Sequence, residues 1–237
     1  MPFIHKLEQY DRLSDTERQL LEGAIVRQRA VPKGEDMIRE GDCPAESTFL
    51  IKGFAARYSL LRNGKRQITA LHVPGDFVDL HSFLVKKTDH AVMAITPCTV
   101  GTIAHETLRG ISENHPHLAR LLAVNIVVDG AIHRQWIVAM GRRSAREHMA
   151  HLLCELFVRL RAVGLVTDDS FDLPLTQAEL GDSLGLSTVH VNRVLQDLRK
   201  EGLITWRGEA LAIEDWPRLQ EIAEFDPTFL SLEVEPR

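Results

Sequence analysis

The sequence predicts an α+β chain: a strand-rich N-terminal half, one long apolar helix, and a winged helix-turn-helix at the C-terminal end. Three observations carry this. Gly34, Gly41, Gly53, Gly64 and Gly75 punctuate short alternating apolar segments, Pro116 opens a long helical pattern, and residues 173–213 set two capped helices ahead of two short strands.

Composition is compatible with that plan. The 237 residues are 44% hydrophobic, enough for two small domains each with its own core. No run is expected to reach the roughly 18–20 apolar residues of a membrane span, and Met1-Pro2-Phe3-Ile4 followed by His5-Lys6 lacks a signal-peptide plan, so a cytoplasmic protein with no membrane partner is expected. Cys43, Cys98 and Cys154 are scattered and without CxxC spacing, which argues against a disulfide framework or structural zinc. The net charge of -5 argues against indiscriminate nucleic-acid binding.

Residues up to about Ala30 read as a helical lead-in, with Ser14 and Glu17 as a capping box before Leu20, Leu21 and Ile25. Short strands are expected from Val31 to about Ile103. A helical stretch from Thr107 leads to Pro116, whose fixed φ suits the first turn of a helix running to about Met140. That helix is apolar on more than one face and needs cover from two directions. Ala119, Ala123, Ile126, Gly130, His133, Ile137 and Met140 alternate in steps of four and three, a coiled-coil seam; Leu118, Leu121, Leu122 and Ile132 then face the chain's own strands. A single buried core helix is the competing reading. Gly141 to Ser144 reads as a hinge, Ser144 capping a helix through His148, Leu152, Leu153, Leu156 and Phe157 to about Val163. The expected boundaries are 1–112 for the sensor, 113–141 for the long helix and 142–237 for the C-terminal domain.

Thr176 and Glu179 form another capping box, Leu175, Ala178, Leu180 and Leu184 give the helix its apolar stripe, and Gly185 supplies the turn. Ser187 caps the next helix. Val191, Val194, Leu195 and Leu198 face inward and leave Thr188, Val189, Asn192, Arg193 and Gln196 outward. Gly202 ends that helix, and Leu203–Trp206 and Ala210–Ile213 around Arg207-Gly208-Glu209 read as a wing. Such a helix pair points to duplex DNA. Asp168, Asp169, Asp172, Asp182 and Asp197 offset Arg193, Arg199, Lys200 and Arg207, so attraction to phosphate must come from local placement and helix N-termini.

From Val31 the chain reads VPKGEDMIREGDCPAESTFLIKGFAARYSLLRNGKRQITALHVPGDFVDLHSF, and with PLTQAELGDSLGLSTVHVNRVLQDLRKEGLITWRGEALAI following it resembles the Crp/Fnr family of bacterial transcription regulators over nearly its whole length. The resemblance implies a jelly-roll sensor domain of the cyclic-nucleotide-binding type, with turns at Gly41-Asp42 and Pro74-Gly75-Asp76, and a dimerisation helix. It implies a homodimer on double-stranded DNA, reading a pseudo-palindrome with RNA polymerase as a further partner. Arg193 falls where the family donates a forked pair to guanine O6 and N7; pairing to Asp197 at i+4 is the alternative. Val189, with Thr188 before it, stands where most members place an acidic residue, and valine can touch a thymine methyl but accept nothing from cytosine. The half-site is therefore expected to keep a TGA-type element at Arg193 and diverge beside it. Asn192 suits adenine or a phosphate, Ser187, Thr176 and Gln177 suit phosphates at helix N-termini, and His190 suits either a phosphate or packing. The acidic loop Val166 to Asp172 and the turn Asn63-Gly64-Lys65-Arg66 are the candidate polymerase surfaces.

Cyclic-nucleotide-binding relatives carry a glutamate and an Arg-Ser or Arg-Thr pair after the Pro-Gly-Asp turn. Here the stretch is Phe77-Val78-Asp79-Leu80-His81-Ser82-Phe83, then Lys86-Lys87-Thr88-Asp89-His90-Ala91. Without the arginine nothing offsets desolvation of a phosphate, so cyclic AMP or GMP is not expected to bind by the usual cassette. Lys86 and Lys87 read as solvated. Asp79, His81, Thr88, His133 and Arg134 are the candidates for touching some other small-molecule effector, with His133 as a seam residue the plainer reading. No cysteine precedes Cys43, so no iron–sulfur cluster is expected. Haem through His81 or His72 is the weaker reading, because one unpaired histidine is more often structural. His148 and His151 share a helix face without a third ligand, and no metal site is assigned. No nucleophile elbow, Walker loop, HExxH or paired-carboxylate motif is visible, so an enzyme is not expected. The competing function is a ligand-binding regulatory or interaction module without operator binding.

Overall fold

A computed structural model describes residues 1–85 and 87–234; Lys86 lies outside them. The chain divides into two compact units, one of residues 1–59 and 70–130 with the C-terminal residues from 231, the other of residues 60–69 and 131–230.

The first unit opens with α1 (Pro2–Leu7) and α2 (Asp15–Gly23), followed by β1 (Ile25–Val31), β2 (Asp36–Ile38), β3 (Glu46–Lys52), β4 (Ala55–Leu60) and β5 (Arg66–His72). A 3-10 turn at Leu80–Phe83, β6 (Ala91–Ala94), β7 (Cys98–Ala104), α3 (His105–Asn114) and α4 (Pro116–Arg142) as far as Gly130 complete it, the rest of α4 and residues 60–69 of the β4–β5 hairpin belonging to the second unit. The strands form two sheets, ordered β1-β7-β3 and β2-β6-β4-β5. Val31, Leu50, Cys98 and Val100 from the first meet Met37, Ile38, Ala55, Val92 and Ala94 from the second in one buried cluster, the sandwich that the alternating pattern required. The five turn glycines all have positive φ, from 82° to 97°. At Gly53 a side chain would also meet Pro97 O at 2.7 Å, and at Gly101 a Cβ would stand 2.3 Å from the Phe49 ring.

The lead-in differs from expectation. The Ser14 and Glu17 box forms, but α2 stops at Gly23 and residues 25–30 are strand, laddered antiparallel on β7 with Val31 opposite Cys98. Gly23 ends the helix and the β-branched Ile25 and Val26 suit a strand, so pairing at the sheet edge outweighs the helix propensity of the Arg and Gln that follow. Before it, α1 drives Phe3 against Phe49 and Phe77, ring centroids 4.5 and 5.9 Å away, and Lys6 Nζ reaches Asp76 Oδ1 at 2.7 Å. That contact pins the Pro-Gly-Asp turn.

The long helix begins at Pro116 as expected, and His117 near its start bonds Glu17 at 2.7 Å and Asp11 at 3.3 Å. Leu118, Leu121, Leu122 and Ile132 are buried. None of the seven expected seam positions is buried: Ala123, Ile137 and Met140 are exposed and Ala119, Ile126, Gly130 and His133 half-buried, with Val127 exposed beside them at 63%. By length and composition α4 is apolar enough to cross a bilayer, against the expectation that no run is. A soluble core helix passes the same test, and Val128, Trp136 and Ala139 are also buried within the chain. Gly141 is helical and the helix runs to Arg142, so the break between helices falls at Arg143-Ser144, within the expected 141–144 junction but not at its glycine.

In the second unit α5 (Ala145–Ala162) is the axis, buried without interruption from His148 to Leu160 and capped by Ser144 with Glu147. Around it lie β8 (Ser170–Asp172), α6 (Gln177–Leu184), α7 (Thr188–Lys200), β9 (Ile204–Arg207), β10 (Ala210–Ile213) and α8 (Trp216–Ala223). Glu155, fully buried on α5, accepts from Trp136 Nε1 at 2.9 Å and from Arg159 at 2.6 Å. His148 and His151 are packing residues: burial, then the nearby Arg143 charge, holds their pKa down at about 4 and about 3, and His151 lies against Phe225 and Phe229. The sheet order is β8-β10-β9, so the acidic loop expected from Val166 ends in a strand the sequence pattern did not reveal.

Candidate nucleic-acid interface and sensor cavity

The helix pair follows from its caps. Thr176 Oγ1 accepts from Glu179 N, the Glu179 carboxylate accepts from Thr176 N, and α6 ends at Gly185 with φ of 69°. Ser187 Oγ then accepts from His190 N and starts α7. At its far end Gly202 N donates to Arg199 O and Leu203 N to Leu198 O, a Schellman closure that turns the chain into the wing. Gly208 and Glu209 connect Arg207 to Ala210, with Gly208 at φ 62°.

The α7 side chains divide as expected. Val191, Val194, Leu195 and Leu198 are buried, and Thr188, Val189, Asn192, Arg193 and Gln196 are exposed, Val189 by 80%. Arg193 makes no hydrogen bond or ion pair among the described residues, so the i+4 pairing to Asp197 is not formed. Asn192 Oδ1 accepts from Gln196 Nε2 at 3.1 Å, which orients its amide along the same face. His190 is half-buried, Ser187 and Gln177 are exposed, and the Ser187 hydroxyl keeps its proton to donate. Thr176 corrects one expectation: its hydroxyl already donates to Glu179 Oε2 at 2.8 Å, so the fold uses that proton for the cap. Arg66 corrects another, since it is paired to Asp182 at 2.7 Å and is no free polymerase contact. Sequence reasoning passed over Gly181, where a Cβ would stand 2.6 Å from Leu186 O; its only signal is a glycine inside a helix.

In the sensor, the stretch after Pro-Gly-Asp packs inward. Asp79 is fully buried, accepting from Thr48 N at 2.5 Å and from Ser82 Oγ at 3.4 Å. Burial raises its pKa to about 7, against the lowering effects of those donors and Arg57. Thr88 does not present its hydroxyl to a cavity, because it donates to Arg39 O at 2.7 Å and ties down the Gly41 turn. His81 is half-buried and held neutral, first by burial and then by the Arg57 charge. It lines a cavity of only about 10 Å³ with Arg57, Leu80, Asn125 and Asp129, about the room of one water. Arg57 was missed: the sequence lacks an arginine after the turn, but β4 brings this buried one to the same region, where Asp129 on α4 holds it at 3.0 Å. Its only sequence signal is a charge inside the apolar Ala55-Ala56-Arg57-Tyr58 strand. His133 is half-buried and Arg134 exposed, both on the stretch of α4 assigned to the second unit. A wider groove of about 430 Å³ opens between β1, β2 and the Cys43 loop, where Arg27 pairs with Glu46 at 3.2 Å.

Sandwich sensor, long helix and winged helix-turn-helix together define a DNA-binding regulator. Residues 28–115 match the cyclic nucleotide-binding domain and residues 147–222 the Crp-like helix-turn-helix domain. The chain is 30% identical to the transcriptional activator protein anr of Pseudomonas aeruginosa, over 82% of this chain and 80% of that protein. It is likewise 30% identical to the transcriptional activator protein FnrL of Cereibacter sphaeroides, over 84% and 81% of the two chains. The structure of FixK2 from Bradyrhizobium japonicum superposes with a TM-score of 0.75 at 25% identity, covering 83% of this chain and 96% of that one. The chain belongs to the Crp/Fnr family of transcriptional regulators, proteins that bind DNA, typically as dimers.

Proposed function

We propose that the chain acts in the cytoplasm as a homodimer on a pseudo-palindromic operator, with α7 in the major groove and Arg193 reading guanine. The observation that carries this is an arginine exposed and without an intramolecular partner among the described residues, on a helix whose opposite face is fully buried. Val189 supplies an apolar contact beside it, Asn192 and Thr188 share the face, and Ser187, Gln177 and His190 lie where phosphates pass. The exposed stripe through Val127, Ile137 and Met140 on α4 supports pairing with a second copy, whose own helix would cover it. The cavity at Arg57, only about 10 Å³, supports a sensor that does not take a cyclic nucleotide by the usual cassette, since small-molecule sites measure about 300–1,000 Å³. Asn63 and Lys65 keep exposed side chains at the β4–β5 turn for RNA polymerase.

The test is Arg193→Ala on the chain's own upstream DNA, with binding followed by fluorescence anisotropy across a salt series. A bidentate guanine contact is worth about 1–3 kcal/mol per half-site, so specific affinity should fall by at least tenfold while nonspecific binding changes little. A variant that keeps wild-type discrimination would show that α7 does not read the operator.

A further inference from the structure

The 3-10 turn and the approach to β6 bring His81, Asp89 and His90 together, one donor atom from each within 4.8 Å of the others. The rings of His81 and His90 lie 5.1 Å apart, centroid to centroid. His90 is the fixed member: its side chain is only 9% exposed, and its Nδ1 lies 2.7 Å from Asp89 Oδ1. A carboxylate on Nδ1 places the proton there and leaves the lone pair on Nε2. That Nε2 is buried and has no hydrogen-bond partner among the described residues. A buried acceptor left unsatisfied is unfavourable unless something comes to it.

We propose that His81, Asp89 and His90 form a binding site for a divalent transition cation of the zinc class. Two imidazoles and a carboxylate suit zinc, cobalt or nickel ions; magnesium and calcium prefer oxygen ligands throughout. Three protein ligands leave a fourth position open, the pattern of an exchangeable site and not of a closed structural one. Metal–nitrogen bonds of about 2.0–2.1 Å require donor atoms closer together than they stand. To reach an ion on His90 Nε2 the Asp89 carboxylate must leave Nδ1, which points to the other side of the ring; Asp89 is exposed and His81 half-buried, so both have the freedom to close around the fixed His90. Burial, its first cause, lowers the pKa of both imidazoles, so they are neutral and competent as ligands at neutral pH. His81 also lines the small cavity with Arg57 and Asp129, so an ion here would sit beside the ion pair that joins β4 to α4. The cation would then be an effector of the proposed regulator, a role that rests on the DNA-binding reading; the site itself does not.

Untagged full-length protein, stripped with a chelator, is titrated with Co²⁺ and followed by its visible absorption. One ion per protomer with a tetrahedral spectrum is expected, displaced by Zn²⁺ and retained in Cys43→Ser, which removes the exposed thiol. His81→Ala should abolish the signal, and Asp89→Asn, which replaces the anionic ligand by a neutral amide, should weaken binding by about tenfold or more. Asp89 is exposed and His81 half-buried, and circular dichroism checks that each variant folds. No cobalt spectrum in the wild type, or an unchanged one in His81→Ala, would overturn the site. Operator binding on the same samples is read separately, so its failure with an intact cobalt site counts against the DNA reading alone.

Discussion

Replacing Asp79 with asparagine should flatten the pH dependence of stability. In the folded chain this fully buried carboxyl keeps its proton to about pH 7, against an ordinary value of 3.8. Between those limits the folded state holds one proton more than the unfolded state. The resulting stability is complete below the unfolded value and disappears as pH rises through the folded one. Each unit of difference is worth about 1.4 kcal/mol, and integrating from pH 5 to pH 8 gives a loss of about 2.5 kcal/mol attributable to this group. Asparagine is neutral throughout and keeps an oxygen to accept from Thr48 N, so it removes the titration and preserves the packing. Urea unfolding of both proteins at several pH values and one fixed protein concentration measures the difference, the concentration being held because the proposed dimerisation would shift apparent stability. Wild type should lose ground to the variant steadily up to pH 7 and then level off. Parallel curves would refute the argument, since they would mean that Asp79 titrates alike in the folded and unfolded chain.

Glu155→Ala removes the buried carboxylate that pairs with the 8%-exposed Arg159 and accepts from Trp136, so it should cost about 3–5 kcal/mol, read as a lowered thermal midpoint. Gly181→Ala drives a methyl to 2.6 Å from Leu186 O, a backbone atom that cannot swing aside; a loss of about 1–3 kcal/mol is expected, with weaker operator binding as α7 is displaced. His151 has its pKa lowered to about 3, so its contribution is present above the unfolded value of 6.5 and is lost as pH falls toward the folded one. His151→Phe keeps the contact with Phe225 and Phe229 and removes that proton uptake, and should move the acid-unfolding midpoint to lower pH by circular dichroism.

Local chemistry determined much of this protein. Capping boxes at Ser14, Ser144 and Thr176, the Ser187 cap, Pro116 at a helix start and the positive-φ glycines are fixed by neighbours a few residues away, so the helices and turns they govern could be read directly. The same holds for α7, where a period of 3.6 separates buried valines and leucines from the face bearing Arg193. Strand partnership was not legible. β1 and the three-residue β8 are weakly patterned segments made strands by ladders to β7 and β10, and nothing within them names those partners. Nor could spacing show that Arg57 meets Asp129, 72 residues away, or that Asp79 meets Thr48, 31 residues away. The closure of the sensor cavity and the meeting of His81 with His90 are likewise tertiary outcomes. Hydrogen bonds and charges between distant segments depend on the path of the backbone, which sandwich packing sets only once the whole sheet is assembled.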